Sequence, residues 1–231
     1  MRFVVLALIG LCAAPALAQA PSLPLDFAAE SDAFGDAAAE YRSIWQADGD
    51  RIVDVMESLT GLEFEAGPVH VIVHEGTSFS GYRDIPMRMR ASYARSTKQA
   101  TLVHELAHRL ISELVPGDFE DHPIIFLFVY DAWVELWGRA FADREVEVES
   151  ARRGPSNYAG TWQSVLALSA DERAQKFQQF LKEQSAALNG QRIAHWSIRS
   201  SSEASNRHRR YLHQGQRSGE ASRLVQNSSR D

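Results

Sequence analysis

The sequence is poor in three things, and each shortage removes a class of explanation. It has a single cysteine, Cys12, in 231 residues. Cys12 falls inside the opening run MRFVVLALIGLCAAPALA, where Arg2 precedes an apolar stretch from Phe3 to about Ala14, followed by Pro15 and the small-residue pattern Ala16-Leu17-Ala18. That order predicts a secretory signal peptide over residues 1–18, cleaved after Ala18, and hence a secreted or periplasmic protein. The bulky Leu11 stands before Cys12 where lipid attachment wants a small residue. The mature chain would then contain no cysteine, which excludes disulfides and thiolate ligands and leaves His, Asp and Glu for any metal.

Long hydrophobic runs are also scarce. The leader's run is too short and wrongly flanked for a stable membrane span, so no span is expected. The third shortage is positive charge in the body of the chain. The net charge is −6, yet residues 190–231 hold eight Arg against three acidic residues, which leaves about −11 on the rest. An acidic body argues against nucleic acid as the partner. Residues 190–231 are Ser/Arg-rich with almost no apolar periodicity and read as a disordered basic tail. Residues 19–189 remain as one domain, long enough to bury a core. Oligomeric state is not legible.

Within that domain the periodicity predicts helices with a small β component. A short Pro-containing linker is followed by DAAAEYRSIWQADGDRIVDVMESLTG, read as two helical pieces divided near Asp48-Gly49, with Gly61 as a C-cap. GPVHVIVHE alternates as a strand, with Val69, Val71 and Val73 on one face and His70, Ile72 and His74 on the other. MRMRASYA is a second, more polar strand. A helix from about Ser96 to Val115 carries the apolar stripe Val103, Ala107, Leu110 and Leu114, and Pro116-Gly117 ends it. His122 is expected near the cap of a second helix, with Pro123 in its first turn, running to about Glu149. Two more helices follow. The last opens with a capping box from Ser169 to Glu172 and ends at Asn189-Gly190.

The chemistry lies in HELAH, His104 to His108. Residues four apart share a helix face, so His104 and His108 can aim imidazole nitrogens at one ion. Glu105 projects about 100° around the axis, within reach of a water at that ion. Two ligands and a general base on one rigid rod suit a zinc-dependent hydrolase, with Zn2+ as cofactor. A solvated polar face is the bland alternative, but this helix is apolar around most of its circumference.

The segment LVHELAHRL, following a strand and an extended stretch, resembles the active-site helix of zincin metallopeptidases over roughly residues 68–142. The resemblance implies a zincin-like α+β fold, mostly helical with a small sheet before the active-site helix, and a peptide or protein substrate. Zincins commonly bind an extended peptide beside a strand near this helix. Arg109-Leu110-Ile111 after His108 lacks the glycine-then-histidine continuation of metzincins. HPIIF, His122 to Phe126, is similar to the third-ligand segment of SprT-like proteases, although Pro123 stands where they usually carry glycine. Their cysteine zinc ribbon is missing too, so DNA-linked roles do not transfer.

Geometry offers rivals to His122 as third ligand. In an antiparallel helical hairpin, His108 lies eight residues, ~12 Å, before the break at Pro116, and counting eight on from Pro123 reaches Asp131. Glu135 is one turn further. These spacings resemble gluzincins and aspzincins, although Asp131-x-x-x-Glu135 reverses the gluzincin order. His122 is the first choice, with Asp131 and Glu135 as alternatives; Asp131 could equally brace a ligand imidazole. Tyr82, Tyr93, Tyr130 and Tyr158 are candidate donors to a developing oxyanion. The second functional reading is a catalytically silent domain that binds zinc or peptides without cutting them.

Overall fold

The computed structural model describes residues 22–115, 120–153 and 156–187. The predicted signal peptide, the Pro116-Gly117 helix stop, the Asn189-Gly190 helix end and the basic tail lie outside these residues. Strand β1 (Leu25–Ala29) leads through a 3-10 turn (Asp32–Phe34) into the long helix α1 (Gly35–Thr60). Strands β2 (Val69–His74) and β3 (Met87–Arg90) follow, then helices α2 (Arg95–Ile111), α3 (His122–Trp137), α4 (Arg139–Ser150) and α5 (Tyr158–Leu166). A last helix, α6, spans 170–187. The class is α+β, mostly helical with a small sheet, as expected. None of the described helices is long and apolar enough to cross a membrane.

The sheet has three strands in the order β1-β2-β3, all parallel. Val69, Val71 and Val73 of β2 are buried and His70 is exposed, as the alternation requires, and Met87 and Met89 of β3 are fully buried. Strand β1 lies in what the sequence suggested was linker. LDFAA alternates too briefly to stand out, and it becomes a strand by pairing Phe27 with Val71 across the sheet. With β1 present, β2 is central and both its edges are taken, so β2 is not the strand that can take an extended peptide. The outer edge of β3 is met by Phe79, which exchanges N–H···O bonds of 2.9 and 2.8 Å with Arg88.

Three helical regions differ from expectation. Helix α1 runs unbroken through Asp48-Gly49, because Gly49 is buried in the helix packing and flanked by Trp45, Ile52 and Val53, all core residues. Packing outweighs the roughly 1 kcal/mol that glycine costs a helix. Conversely, the expected long second helix is two. Gly138, at φ 88° and ψ 160°, closes α3 by donating to Val134 O at 2.8 Å, and its own carbonyl accepts from Phe141 and Ala142 to start α4. A side chain there would be strained, which is why a glycine marks the break. The chain turns at Gly138 and α4 packs back against α3, α2 and α5. Helix α2 also ends early, at Ile111, with its last turn tightened by Leu114 N–H donating to Ile111 O at 2.8 Å.

Candidate metal centre

Helix α2 presents His104 and His108 one turn apart, and the first residue of α3 presents His122 beside both, its ring 5.3 and 4.8 Å from theirs. One donor atom from each lies within 4.8 Å of the others, a grouping that could hold a metal ion. The Nε2 atoms of His104 and His108 face each other at 3.1 Å. His122 Nε2 lies 2.9 Å from the hydroxyl of Tyr158.

Behind each imidazole stands a carboxylate. His108 Nδ1 is 2.8 Å from Asp121 Oδ2, and His104 Nδ1 is 2.9 Å from Glu149 Oε1. His122 Nδ1 meets Glu120 Oε1. The His104 contact is close, but neither atom has a partner of regular hydrogen-bond angle among the described residues. A carboxylate at Nδ1 keeps the ring proton there and turns the Nε2 lone pair outward, the arrangement found behind metal-binding histidines. The facing Nε2 atoms of His104 and His108, with a nitrogen of His122 within 4.8 Å, suit a cation, since two acceptors 3.1 Å apart repel unless a proton or an ion lies between them. The donor set therefore fits a metal.

Burial sets the protonation states of the chain alone. It pulls His104 down to about 4, despite the Glu149 charge, so this imidazole is neutral near pH 7. Burial also acts against a charge on His108, but Asp121 and Glu105 outweigh it and leave that ring above its ordinary value. His122 is lowered by burial and by His108. Burial pushes Glu105 up to about 7, the range that suits a general base working near neutrality. Glu105 is 5 % exposed and has no hydrogen-bond donor among the described residues, yet it lines an open cleft of about 630 Å³. The same cleft is lined by His104, His108, His122 and Tyr158, and on its far wall by the segment Ser78–Arg83.

Compared with protein-family models, with curated proteins and with solved structures, the chain matches none.

The far wall is built firmly. Arg109, next to His108, donates to Ser80 O at 3.1 Å, and Arg83 reaches Glu113 at 2.9 Å. Gly81 sits at φ 60°, where a Cβ would come within 2.6 Å of backbone atoms of Ile85 and Pro86. A glycine is required at that turn.

The structure brings His104, Glu105, His108 and His122 together and leaves Asp131 and Glu135 out. With His122 facing the cluster, Asp131 nine residues on projects about 180° away on an α-helix. It takes a two-pronged ion pair from Arg173 of α6, with Nε to Oδ2 at 2.8 Å. Glu135 is exposed. His122 is the first residue of α3, with Asp121 at the N-cap. Among the tyrosines, Tyr130 donates to Asp143 at 2.7 Å, and Tyr93 lies beside Arg90 and Arg152. Tyr82 and Tyr158 line the cleft, and Tyr158 alone of the four contacts a histidine of the cluster. His70 is exposed near Asp26, while His74 is buried with Nε2 at 3.2 Å from Thr77 O, so these two do not form a pair.

Sequence reasoning missed all three carboxylates. Asp121 and Glu120 sit beside His122, so adjacency was the available signal. Glu149 had none, because a continuous helix from His122 would have carried it ~40 Å away. The glycine break at Gly138 brings it back under His104.

Proposed function

We propose that this protein is a zinc-dependent peptidase of the zincin type, acting outside the cytoplasm as the signal peptide expected from its sequence implies. The observation that supports it is a cleft holding three carboxylate-backed histidines and a buried carboxylate, Glu105, with no hydrogen-bond donor among the described residues. The expected metal is Zn2+, with His104, His108 and His122 as its ligands. Held there, zinc would supply Lewis acidity to a substrate carbonyl and to water.

The chain's own groups do the rest. Glu105 accepts the proton of the attacking water at its carboxylate and then donates it to the amide nitrogen that leaves. The Tyr158 hydroxyl, held beside His122 Nε2, donates to the oxygen on which charge develops. An extended peptide lies between the wall at Ser78–Arg83 and helix α2, where Arg109 and Glu113 keep the wall in place.

A silent zinc-binding domain would need no base, so Glu105 separates the two readings. In Glu105→Gln, zinc measured by metal analysis stays stoichiometric and hydrolysis of a casein-type substrate falls by about 10²–10⁴-fold. Undiminished hydrolysis would remove the mechanism. Purified protein without stoichiometric zinc would remove both readings.

A further inference from the structure

We propose that Arg152 is a positioning residue that steadies two corners of the histidine cluster from one point; this rests on the cluster being a metal site. Glu105, His104 and His108 lie on α2, and His122 lies on α3. What ties those corners together is contributed by the end of α4. Arg152, one turn after Glu149 and just past the end of that helix, places Nη1 3.3 Å from Glu149 Oε1, the same oxygen that faces His104. Its Nη2 donates to Thr101 Oγ1 at 3.0 Å, and Thr101 is fully buried one turn before His104 on the same helix. The other Glu149 oxygen accepts from Trp162 Nε1 at 3.1 Å. The carboxylate behind His104 is therefore held by a cation on one oxygen and an indole on the other.

The same guanidinium lies over the rings of Tyr93 and Tyr158, 5.7 and 5.8 Å from their centroids. The Tyr158 ring in turn packs against the His122 ring, with centroids 4.7 Å apart. One planar cation thus acts on His104 through Glu149 and on His122 through Tyr158, while its bond to Thr101 registers α4 against α2. A guanidinium can do this because its donors form a flat fork and its faces stack on aromatic rings. An ammonium offers a point charge with neither property.

The test uses the full mature chain and measures competition for Zn2+ against a chromophoric chelator, together with the visible absorption of the Co2+-substituted protein, which reports ligand geometry. Arg152→Lys is expected to fold, to lose about 10–100-fold in Zn2+ affinity, and to show an altered Co2+ spectrum. Two gentler variants probe the arms separately. Glu149→Gln weakens the His104 arm and Tyr158→Leu removes the ring that links Arg152 to His122, and each is expected to shift the Co2+ spectrum. A merely structural Arg152 would lower the melting temperature while leaving affinity and spectrum as in the natural chain, and that result overturns the proposal. Unchanged spectra in both Glu149→Gln and Tyr158→Leu overturn it as well, even if Arg152→Lys does not fold. If the natural chain itself takes up neither Zn2+ nor Co2+, the metal reading has failed instead.

Discussion

The two ends of the histidine cluster are built differently. At the inner end, His104 and Glu149 are each about 1 % exposed, and Arg152, Thr101 and Trp162 close around them. At the outer end, His122 is 14 % exposed and its carboxylate partner Glu120 is 55 % exposed and also accepts from the Ser156 hydroxyl at 2.9 Å. The chemistry is the same at both ends, an imidazole with a carboxylate at Nδ1, but the surroundings are not. At the surface a polar contact of this kind is worth little, because water replaces it, whereas in the core each partner left alone carries its full desolvation cost. The inner corner is thus part of the fold as well as of the site, and the outer corner belongs to the site alone.

Removing one ring from each end tests that division most strongly. His104→Ala and His122→Ala should both abolish stoichiometric zinc binding. Their metal-free forms should differ. His104→Ala leaves a cavity and an under-partnered Glu149 in the core and costs roughly 3 kcal/mol, on the order of 9 °C in melting temperature for a chain of this size. His122→Ala costs no more than about 1 kcal/mol, as other changes near a surface do. Equal losses by calorimetry on metal-free protein would break the comparison.

Asp131 sharpens it from outside the site. It was a plausible third ligand by distance along a hairpin, and the structure pairs it with Arg173, which is 7 % exposed. Asp131→Asn should leave zinc stoichiometry unchanged and lower stability by about 2 kcal/mol. That is below the usual cost of breaking a buried pair, because Asp131 itself is 21 % exposed. Loss of zinc from this variant with stability retained would return Asp131 to the site.

That contrast also shows what the sequence could reveal. HELAH and the prolines and glycines around it are local signals. They placed His104, Glu105 and His108 on a helix, and the strand alternation of β2 and the capping box at Ser169 appear as expected, with Ser169 N–H donating to Glu172 at 2.8 Å. His122 was legible as a helix-opening histidine. What was illegible depends on direction. Counting residues put Asp131 level with His108, but only the rotation of α3 decides which way it faces, and Phe126, 5.7 Å from His104, occupies the cluster side instead. Strand β1 and the Glu149 corner depend on chain reversals whose partners are far away in sequence. Gly138 was visible as a residue; that it would break the helix, when Gly49 does not, is decided by packing.

A smaller effect is expected from Glu145, one turn before Glu149 on the buried face of α4. Glu145 is 1 % exposed, and neither of its oxygens has a hydrogen-bond donor among the described residues, the nearest cation being Arg144 Nε at 3.7 Å. The two carboxylates share a helix and a degree of burial and differ only in partners. Glu145→Leu should therefore stabilise the protein by about 1 kcal/mol, since an unpartnered buried carboxylate is replaced by an apolar group of similar size. Glu149→Leu should destabilise it. Thermal melts of the two variants side by side decide the matter, and a destabilised Glu145→Leu would mean that Glu145 has a role that its surroundings do not reveal.

The smallest expected effect is at the outer carboxylate. Glu120→Gln keeps the shape of the side chain and an oxygen that can still accept from His122 Nδ1, and removes only the charge. Charge at a half-exposed position is screened by water and salt. The loss in Zn2+ affinity should then be about 3-fold, below the 10–100-fold usual for a carboxylate behind a metal-bound imidazole. Glu149→Gln, measured in the same chelator competition, should reach that range, because its charge lies where water does not screen it. The ratio of the two losses is the most direct measure of how far burial, and not the histidine–carboxylate pair itself, sets the strength of this site. If Glu120→Gln costs as much as Glu149→Gln, the outer corner is as tightly built as the inner one and the division between them fails.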